Sequence, residues 1–261
     1  MTITAVIQAR MSSRRLPGKV LRPVVGKPLL ALQLERVARA QKIDNLVVAT
    51  SDRPDDDPVA ALAASAGVGC YRGSLDDVLD RFYRAARDHA PDHVVRLTAD
   101  CPLADPHVID AVIDFCVSGD YDYASNALQP TFPDGLDVEV ARFACLEKAW
   151  REAALPSERE HVMPYIHRRP ERFRIGGYSG GTDLSHLRWT VDEPEDLALV
   201  TRIYEALYSD NPAFTTADVL RLIERQPDLA AMNAHHTRNA GRRSSVDKDA
   251  AFLMRQAGAS Q

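Results

Sequence analysis

Val6-Ile7-Gln8-Ala9-Arg10-Met11-Ser12-Ser13-Arg14-Arg15-Leu16-Pro17-Gly18-Lys19 is the stretch whose reading decides the fold. An apolar strand at residues 3–7 runs into a loop carrying Arg10, Arg14, Arg15 and Lys19, with no acidic residue among them. Pro17-Gly18 turns the chain and Val20-Leu21 closes the loop before an amphipathic helix expected from Pro28. Such a loop directly after a first strand suits a polyphosphate. Backbone N–H groups cradle phosphate oxygens, hydroxyls donate to them, and Arg and Lys neutralise their charge. It is not a Walker A loop, because Gly18-Lys19 lacks both the upstream Gly and the following Ser or Thr. The same residues also describe a solvated basic surface loop.

Outward from the loop, strands and helices alternate. A helix is predicted over 28–40, a buried strand over 45–51, a helix over 58–66 and a short strand over 67–71. Ser74 is expected to cap the next helix with Asp77 at its third position, and Leu79 and Phe82 fall on its core stripe. A fourth strand over 93–98 precedes a helix started by Asp105-Pro106. This alternation predicts an α/β fold, a mostly parallel open sheet with helices on both faces and ligands at the carboxyl ends of its strands.

The second half reads differently. Strands are expected over 121–125 and 137–140, flanking a proline- and aromatic-bearing loop over 126–136. Ser157 to Glu160 reads as a capping box for a helix running to 167. Strands at 173–178 and 187–191, a helix over 192–208 and another over 215–225 complete the pattern. The expected organisation is one domain over 1–226 and a polar appendage over 227–261, in which His235-His236 reads as solvated.

The 261 residues carry a net charge of −5, which excludes bulk electrostatic binding to nucleic acid or anionic membrane. No apolar run reaches spanning length and no signal-peptide pattern opens the chain, so a cytoplasmic location is expected. Cys70, Cys101, Cys116 and Cys145 lack metal-type spacing and read as reduced core thiols.

Asp100 follows the fourth strand, and Asp192 opens a helix. Each alone fits a cap: Asp100 in a turn before Pro102, Asp192 in a box with Glu195. Together, beside a polyphosphate loop, two carboxylates from separate strand ends match what Mg²⁺ takes from proteins.

Gln8-Ala9-Arg10 with Ser13-x-Arg15-Leu16-Pro17-Gly18-Lys19 resembles the nucleotide-binding signature of the CMP-sugar synthetases, the CMP-Kdo and CMP-acylneuraminate enzymes among them. More closely, the chain resembles the spore-coat polysaccharide cytidylyltransferases of SpsF type. Matching segments include Val48-Ala49-Thr50-Ser51, Arg72-Gly73-Ser74 with Asp77 to Phe82, and Arg96-Leu97-Thr98-x-Asp100-Cys101-Pro102-Leu103. Pro133 to Glu139, Ser157 to Val162 and Asp183 to Asp196 continue the match. The resemblance implies a nucleotide-diphospho-sugar-transferase-like, Rossmann-like three-layer α/β/α fold with a small second-half excursion. It implies reaction with CTP, Mg²⁺ as cofactor, a role in polysaccharide biosynthesis and a homodimer. By position it places Arg10, Ser13, Arg15 and Lys19 on the triphosphate, with Ala49, Ser51, Arg72 and Asp77 near base and ribose and Ala9 also among the nucleotide-binding residues. Asp100 and Asp192 fall on the metal carboxylates, so Arg10, Lys19, Asp100 and Asp192 form the expected catalytic set. The Kdo enzymes carry Gln-Gly-Asp-Glu-Pro where this chain has Thr98-Ala99-Asp100-Cys101-Pro102, which argues against Kdo itself as acceptor.

The acceptor, a sugar acid, sugar phosphate or phosphonate, is expected to meet Asp134, Asp137, Glu139, Arg159 and His161. Asp137 and Glu139 equally fit the exposed face of an edge strand. His161 and His186 are the candidate general bases, and both also suit structural roles. Two rival readings fit the same residues: a glycosyltransferase of related fold, and a non-catalytic nucleotide-binding protein. An Asp-x-Asp pair is absent at Asp100, which counts against the first. The intact basic loop and both carboxylates count against the second.

Overall fold

The structure is a computed structural model describing residues 1–13, 15–238 and 248–255. Arg14 of the basic loop, and Arg242-Arg243 and Ser244-Ser245 of the tail, lie outside the described residues.

A seven-stranded sheet forms the middle layer. In chain order its strands are β1 (Ile3–Gln8), β4 (Asn45–Ser51), β5 (Gly69–Gly73), β6 (His93–Thr98), β7 (Tyr123–Ser125), β8 (Glu139–Arg142) and β9 (Ile175–Gly177). A two-residue hairpin, β2 (Pro23–Val24) and β3 (Lys27–Pro28), stands apart and was not read in the sequence. The spatial order is β5-β4-β1-β6-β8-β7-β9. The β5, β4, β1 and β6 strands run parallel, β8 is antiparallel to both β6 and β7, and β9 is parallel to β7. The chain builds from β1 outward to β4 and β5, then crosses back to place β6 on the other side of β1. At such a reversal the loops leaving two neighbouring strands diverge and open a crevice. The basic loop leaves β1 there, and Asp100 leaves β6 beside it.

Period-two alternation along β1 sends its side chains to two cores. Ile3, Ala5 and Ile7 pack with Leu30, Leu34 and Val37 of α1 (Leu29–Val37), Val59 and Ala63 of α2 (Asp57–Ser65), and Ile109 and Val112 of α4 (Pro106–Ser118). On the other face Val6 packs with Leu79 and Phe82 of α3 (Val78–Arg87) and Leu146 of α5 (Phe143–Glu152). A third cluster joins Trp189 to α8 (Pro194–Leu207) and α9 (Thr216–Arg225), and Leu229 of α10 (Asp228–Ala231) belongs to it. Two short helices, α6 (Pro156–His161) and α7 (Pro164–His167), complete the second-half excursion.

Several expectations are corrected. The α3 helix starts at Val78, because the Asp77 carboxylate accepts from Asp80 N at 2.9 Å and is itself the cap. Ser157 lies inside α6, which Pro156 begins, and the helix expected to 167 is broken by Val162 at φ 71°. Residues 187–191 form no strand: one bridge, Asp134 to Arg188, is their sheet-like contact. The α5 helix went unread, and Cys70 is exposed rather than in the core. No helix of the described residues is long and apolar enough to cross a membrane.

Candidate active site

The basic loop is tied down at its start. Ala9 N donates to Ala49 O at 3.1 Å, and Met11 N donates to Asp56 Oδ1 at 2.6 Å. Ser51, fully buried, donates its N–H and its hydroxyl to the other oxygen of Asp56. Met11 O accepts from Ser13 N at 2.9 Å and Gly18 N at 3.0 Å, which pinches the loop closed. Gly18 makes the reversal at φ +67°, a conformation that costs a residue with a Cβ about 1–2 kcal/mol. A single 3-10 turn, Lys19–Leu21, follows and fixes the lysine under the loop.

Asp192 arrives by a different route. The extended segment before it is threaded between two backbones. Asp134 O accepts from Trp189 N (2.6 Å) and Thr190 N (2.8 Å), and Asp100 O accepts from Val191 N at 2.7 Å. Gly135, at φ +112°, permits this approach, since a Cβ there would lie 2.4 Å from Thr190 N. Asp196 resolves the two readings of Asp192. Its carboxylate accepts from the N–H groups of Asp192 and Glu193, both at 2.9 Å. It therefore caps α8 and leaves the Asp192 side chain for the site.

The two carboxylates converge on one ammonium. Lys19 Nζ lies 3.1 Å from Asp100 Oδ2, 2.8 Å from Asp192 Oδ1 and 2.8 Å from Val191 O. Arg15 reaches Asp192 Oδ2 and Glu193 Oε1, each at 3.0 Å. Arg188 holds Asp192 from behind: it bonds Asp134 at 2.9 Å and Asp196 at 2.9 and 2.8 Å, and lies 3.3 Å from Asp192 Oδ2. Burial pushes Asp100 up, but the charge of Lys19 and hydrogen bonds from Thr98 and Lys19 outweigh it and bring the carboxyl down to about 2. Burial likewise disfavours the Lys19 ammonium, and Asp100 and Asp192 outweigh it and raise its pKa. Asp100 and Lys19 are therefore a carboxylate and an ammonium at neutral pH.

Above it opens a cleft of about 890 Å³, within the span of small-molecule sites. Ala9, Arg10, Ser13, Arg15 and Lys19 line it, as do Asp100 and Asp192. Arg159 and His161 line it too. Ala49, Ser51, Arg72 and Asp77 are not in the lining. Ala49 and Ser51 anchor the loop, and Arg72 Nε donates to Ser51 O at 3.0 Å. Asp77 caps α3 and pairs with Arg159. Asp134, Asp137 and Glu139 also stand outside the lining. Asp134 holds Arg188, Asp137 pairs with Arg238, and Glu139 pairs with Arg96 and accepts from Tyr123 OH at 2.7 Å.

Three contributors were not read from sequence. Arg81, 2% exposed, lines the cleft from α3; burial and the nearby Arg10 pull its pKa down to about 10 against Asp56, Asp52 and Asp77. Its placement beside Leu79 and Phe82 in an apolar stripe was the available signal. Arg188 was assigned to a strand. The tail supplies the third set. Asn233, 1% exposed, donates to Arg188 O (3.0 Å) and Asp196 Oδ1 (2.8 Å). Arg238 donates to Phe132 O at 3.1 Å and pairs with Asp137. Lys248 lines the cleft and bonds Glu160 at 2.8 Å, while Asp249 accepts from Ser157 N and Oγ.

Comparison with known proteins places this geometry. A family model described as cytidylyltransferase matches residues 4–195. The spore coat polysaccharide biosynthesis protein SpsF of Bacillus subtilis is 35% identical over 87% of this chain and 96% of its own. The 3-deoxy-manno-octulosonate cytidylyltransferase of Anaeromyxobacter dehalogenans (strain 2CP-C) is 40% identical over 45% of this chain and 48% of its own. A solved cytidylyltransferase from Leptospira borgpetersenii superposes with a TM-score of 0.84 at 33% identity, covering 91% of this chain and 98% of that one.

Proposed function

The chain belongs to the cytidylyltransferase family, and from that premise we propose that it transfers CMP from CTP to a small anionic acceptor, a sugar acid foremost, releasing pyrophosphate. The observation that carries the reading is the convergence of Asp100 and Asp192 on Lys19 Nζ beneath an arginine-bearing cleft. Arg10, Arg15 and Lys19 would bind the triphosphate, with the N–H groups and hydroxyls of the pinched loop contributing donors. An acceptor oxygen attacks the α-phosphorus in line; the bond to the α–β bridging oxygen breaks, and its electrons leave with pyrophosphate. Negative charge spreads over the α-phosphoryl oxygens in that transition state, and fixed cations lower its energy without reorganising.

The residues fit Mg²⁺. Asp100, after β6, and Asp192, before α8, offer hard oxygen donors and both reach a single cationic atom, so they converge within the reach of one ion. When bound there, Mg²⁺ would neutralise phosphate charge and acidify an acceptor hydroxyl. Arg188 and Asp196 keep Asp192 pointed at the cleft, and Lys19 bonds both carboxylates, holding Asp100 well below the usual carboxylate range.

Arg159 and His161, which line the same cleft, would contact the acceptor, with Arg159 suited to its carboxylate or phosphate. The name of the Bacillus relative supports a place in surface polysaccharide assembly. The test is pyrophosphate release with CTP and Mg²⁺ against Kdo, nonulosonic acids, sugar phosphates and phosphonates. A CMP conjugate identified by mass spectrometry for one acceptor, and lost in Asp100→Ala, is the expected result. Consumption of a nucleotide sugar instead of CTP would overturn the proposal.

A further inference from the structure

The tail assembles a second constellation beside Asp196. Glu195 lies in the first turn of α8, next in sequence to that capping carboxylate. His235 and His236 lie in a turn that follows α10, and the turn is anchored. Asn233 bonds Asp196 and Arg188 as described, and His236 N donates to Asn233 O at 3.1 Å. The anchor thus fixes the backbone carrying both histidines against the backbone carrying Glu195. The two imidazole rings lie 4.0 Å apart, and His236 Nε2 is 3.4 Å from Glu195 Oε2. One ligand atom from each of the three residues lies within 4.8 Å of the other two.

We propose that Glu195, His235 and His236 form a site for a divalent transition ion of the zinc class, which staples the C-terminal segment to the start of α8. Two imidazole nitrogens and one carboxylate oxygen are the donors that zinc and its neighbours take, whereas Mg²⁺ and Ca²⁺ prefer oxygen alone. Three protein ligands leave a fourth position for water. Bonds of about 2.0 Å require ligand atoms about 3.3 Å apart, so the group has to close slightly. Glu195, 47% exposed, and the two imidazoles have room to turn while Asn233 holds the backbone. A solvated histidine pair explains the contact of His236 with Glu195, whereas a metal site also uses the His235 nitrogen held within 4.8 Å of the other two ligand atoms. The site is distinct from the all-oxygen pair of Asp100 and Asp192, and it stands whether or not the chain transfers CMP. Its consequence is mechanical: the stapled segment runs on directly to Arg238, which holds Asp137.

Zinc titration of the full chain by calorimetry tests the site. Excess Mg²⁺ should be present to saturate the oxygen ligands, and a Cys70→Ser background removes the exposed thiol. The expected result is one Zn²⁺ per chain, with affinity falling roughly tenfold or more in His235→Ala, His236→Ala and Glu195→Gln. His89→Ala, at an exposed histidine just after α3 and outside the three-residue group, should leave it unchanged. Circular dichroism checks that each variant is folded. No stoichiometric binding, or binding unchanged in folded His235→Ala and His236→Ala, would overturn the proposal.

Discussion

Lys19 balances the charges on which the cleft depends. With 10% of its side chain exposed, it lies between two carboxylates that otherwise repel each other. Lys19→Met should therefore cost up to about 3 kcal/mol at pH 7, measured by urea unfolding, because it leaves the partly buried Asp100 without its cation while Asp192 keeps Arg15 and Arg188. Turnover should fall roughly 10²–10³-fold. The pH dependence follows from Asp100. Its folded pKa of about 2 lies below its unfolded value, so its stabilising contribution is full above about pH 4 and is lost as pH falls toward 2. Lys19→Met should move that acid limb upward. Asp137 runs the other way. Burial raises it to about 6, with Arg238 pulling down and Asp134, Glu139 and Asp100 pushing up. Its contribution is full below about pH 4 and is lost as pH rises through 6. In Arg238→Met the Asp137 carboxyl should titrate above 6, read by carbon NMR of the labelled side chain; an unchanged or lower value would contradict the pairing.

Among the elements, the strands that cross the middle of the sheet were the most legible. Residues 45–51 and 93–98 are runs of β-branched and apolar residues bounded by polar turns, and β4 and β6 occupy those spans. Where several side chains compete for one role, the sequence misled. Ser74 and Asp77 both suit a helix cap, and the choice falls to the one whose carboxylate reaches Asp80 N. Leu187 to Val191 alternates like a strand, yet its hydrogen bonds go to Asp134 and Asp100 from a threaded, single-bridge path. That path needs Gly135. Gly135→Ala should destabilise by at least about 1–3 kcal/mol, since φ +112° and a 2.4 Å approach to Thr190 N both disfavour a Cβ. The same change should displace Asp192, so kcat should fall more than Tm alone explains; unaltered kcat and Tm would show that the threading is not required.

At the scale of the whole molecule, the basic loop and Asp100 were legible because each follows a strand end at the reversal of the sheet, and Asp192 because it precedes a helix. The support behind them was not, because it comes from distant segments. Arg188 is clamped by Asp134 and by Asn233, and no local pattern announces a partner that far away. The tail looked like an appendage because its composition is polar. Even so, Leu229 is 1% exposed in the third core and Asn233 is buried against α8. Ending the chain at residue 226 should lower Tm and weaken turnover together, through exposed Leu-facing surface and a loosened Arg188. Equal Tm and turnover in the shortened chain would show that the tail is dispensable.

The central claim is that this cleft splits CTP between its α- and β-phosphates, using Asp100 and Asp192. The most direct test is CTP-dependent pyrophosphate release by the native chain and by Asp192→Asn, run beside ATP, GTP and UTP with a mixture of anionic sugars. Release with CTP should exceed that with the other three nucleotides, and a folded Asp192→Asn chain should lose roughly 10²-fold or more. Undiminished release by Asp192→Asn, or preference for another nucleotide, would contradict it.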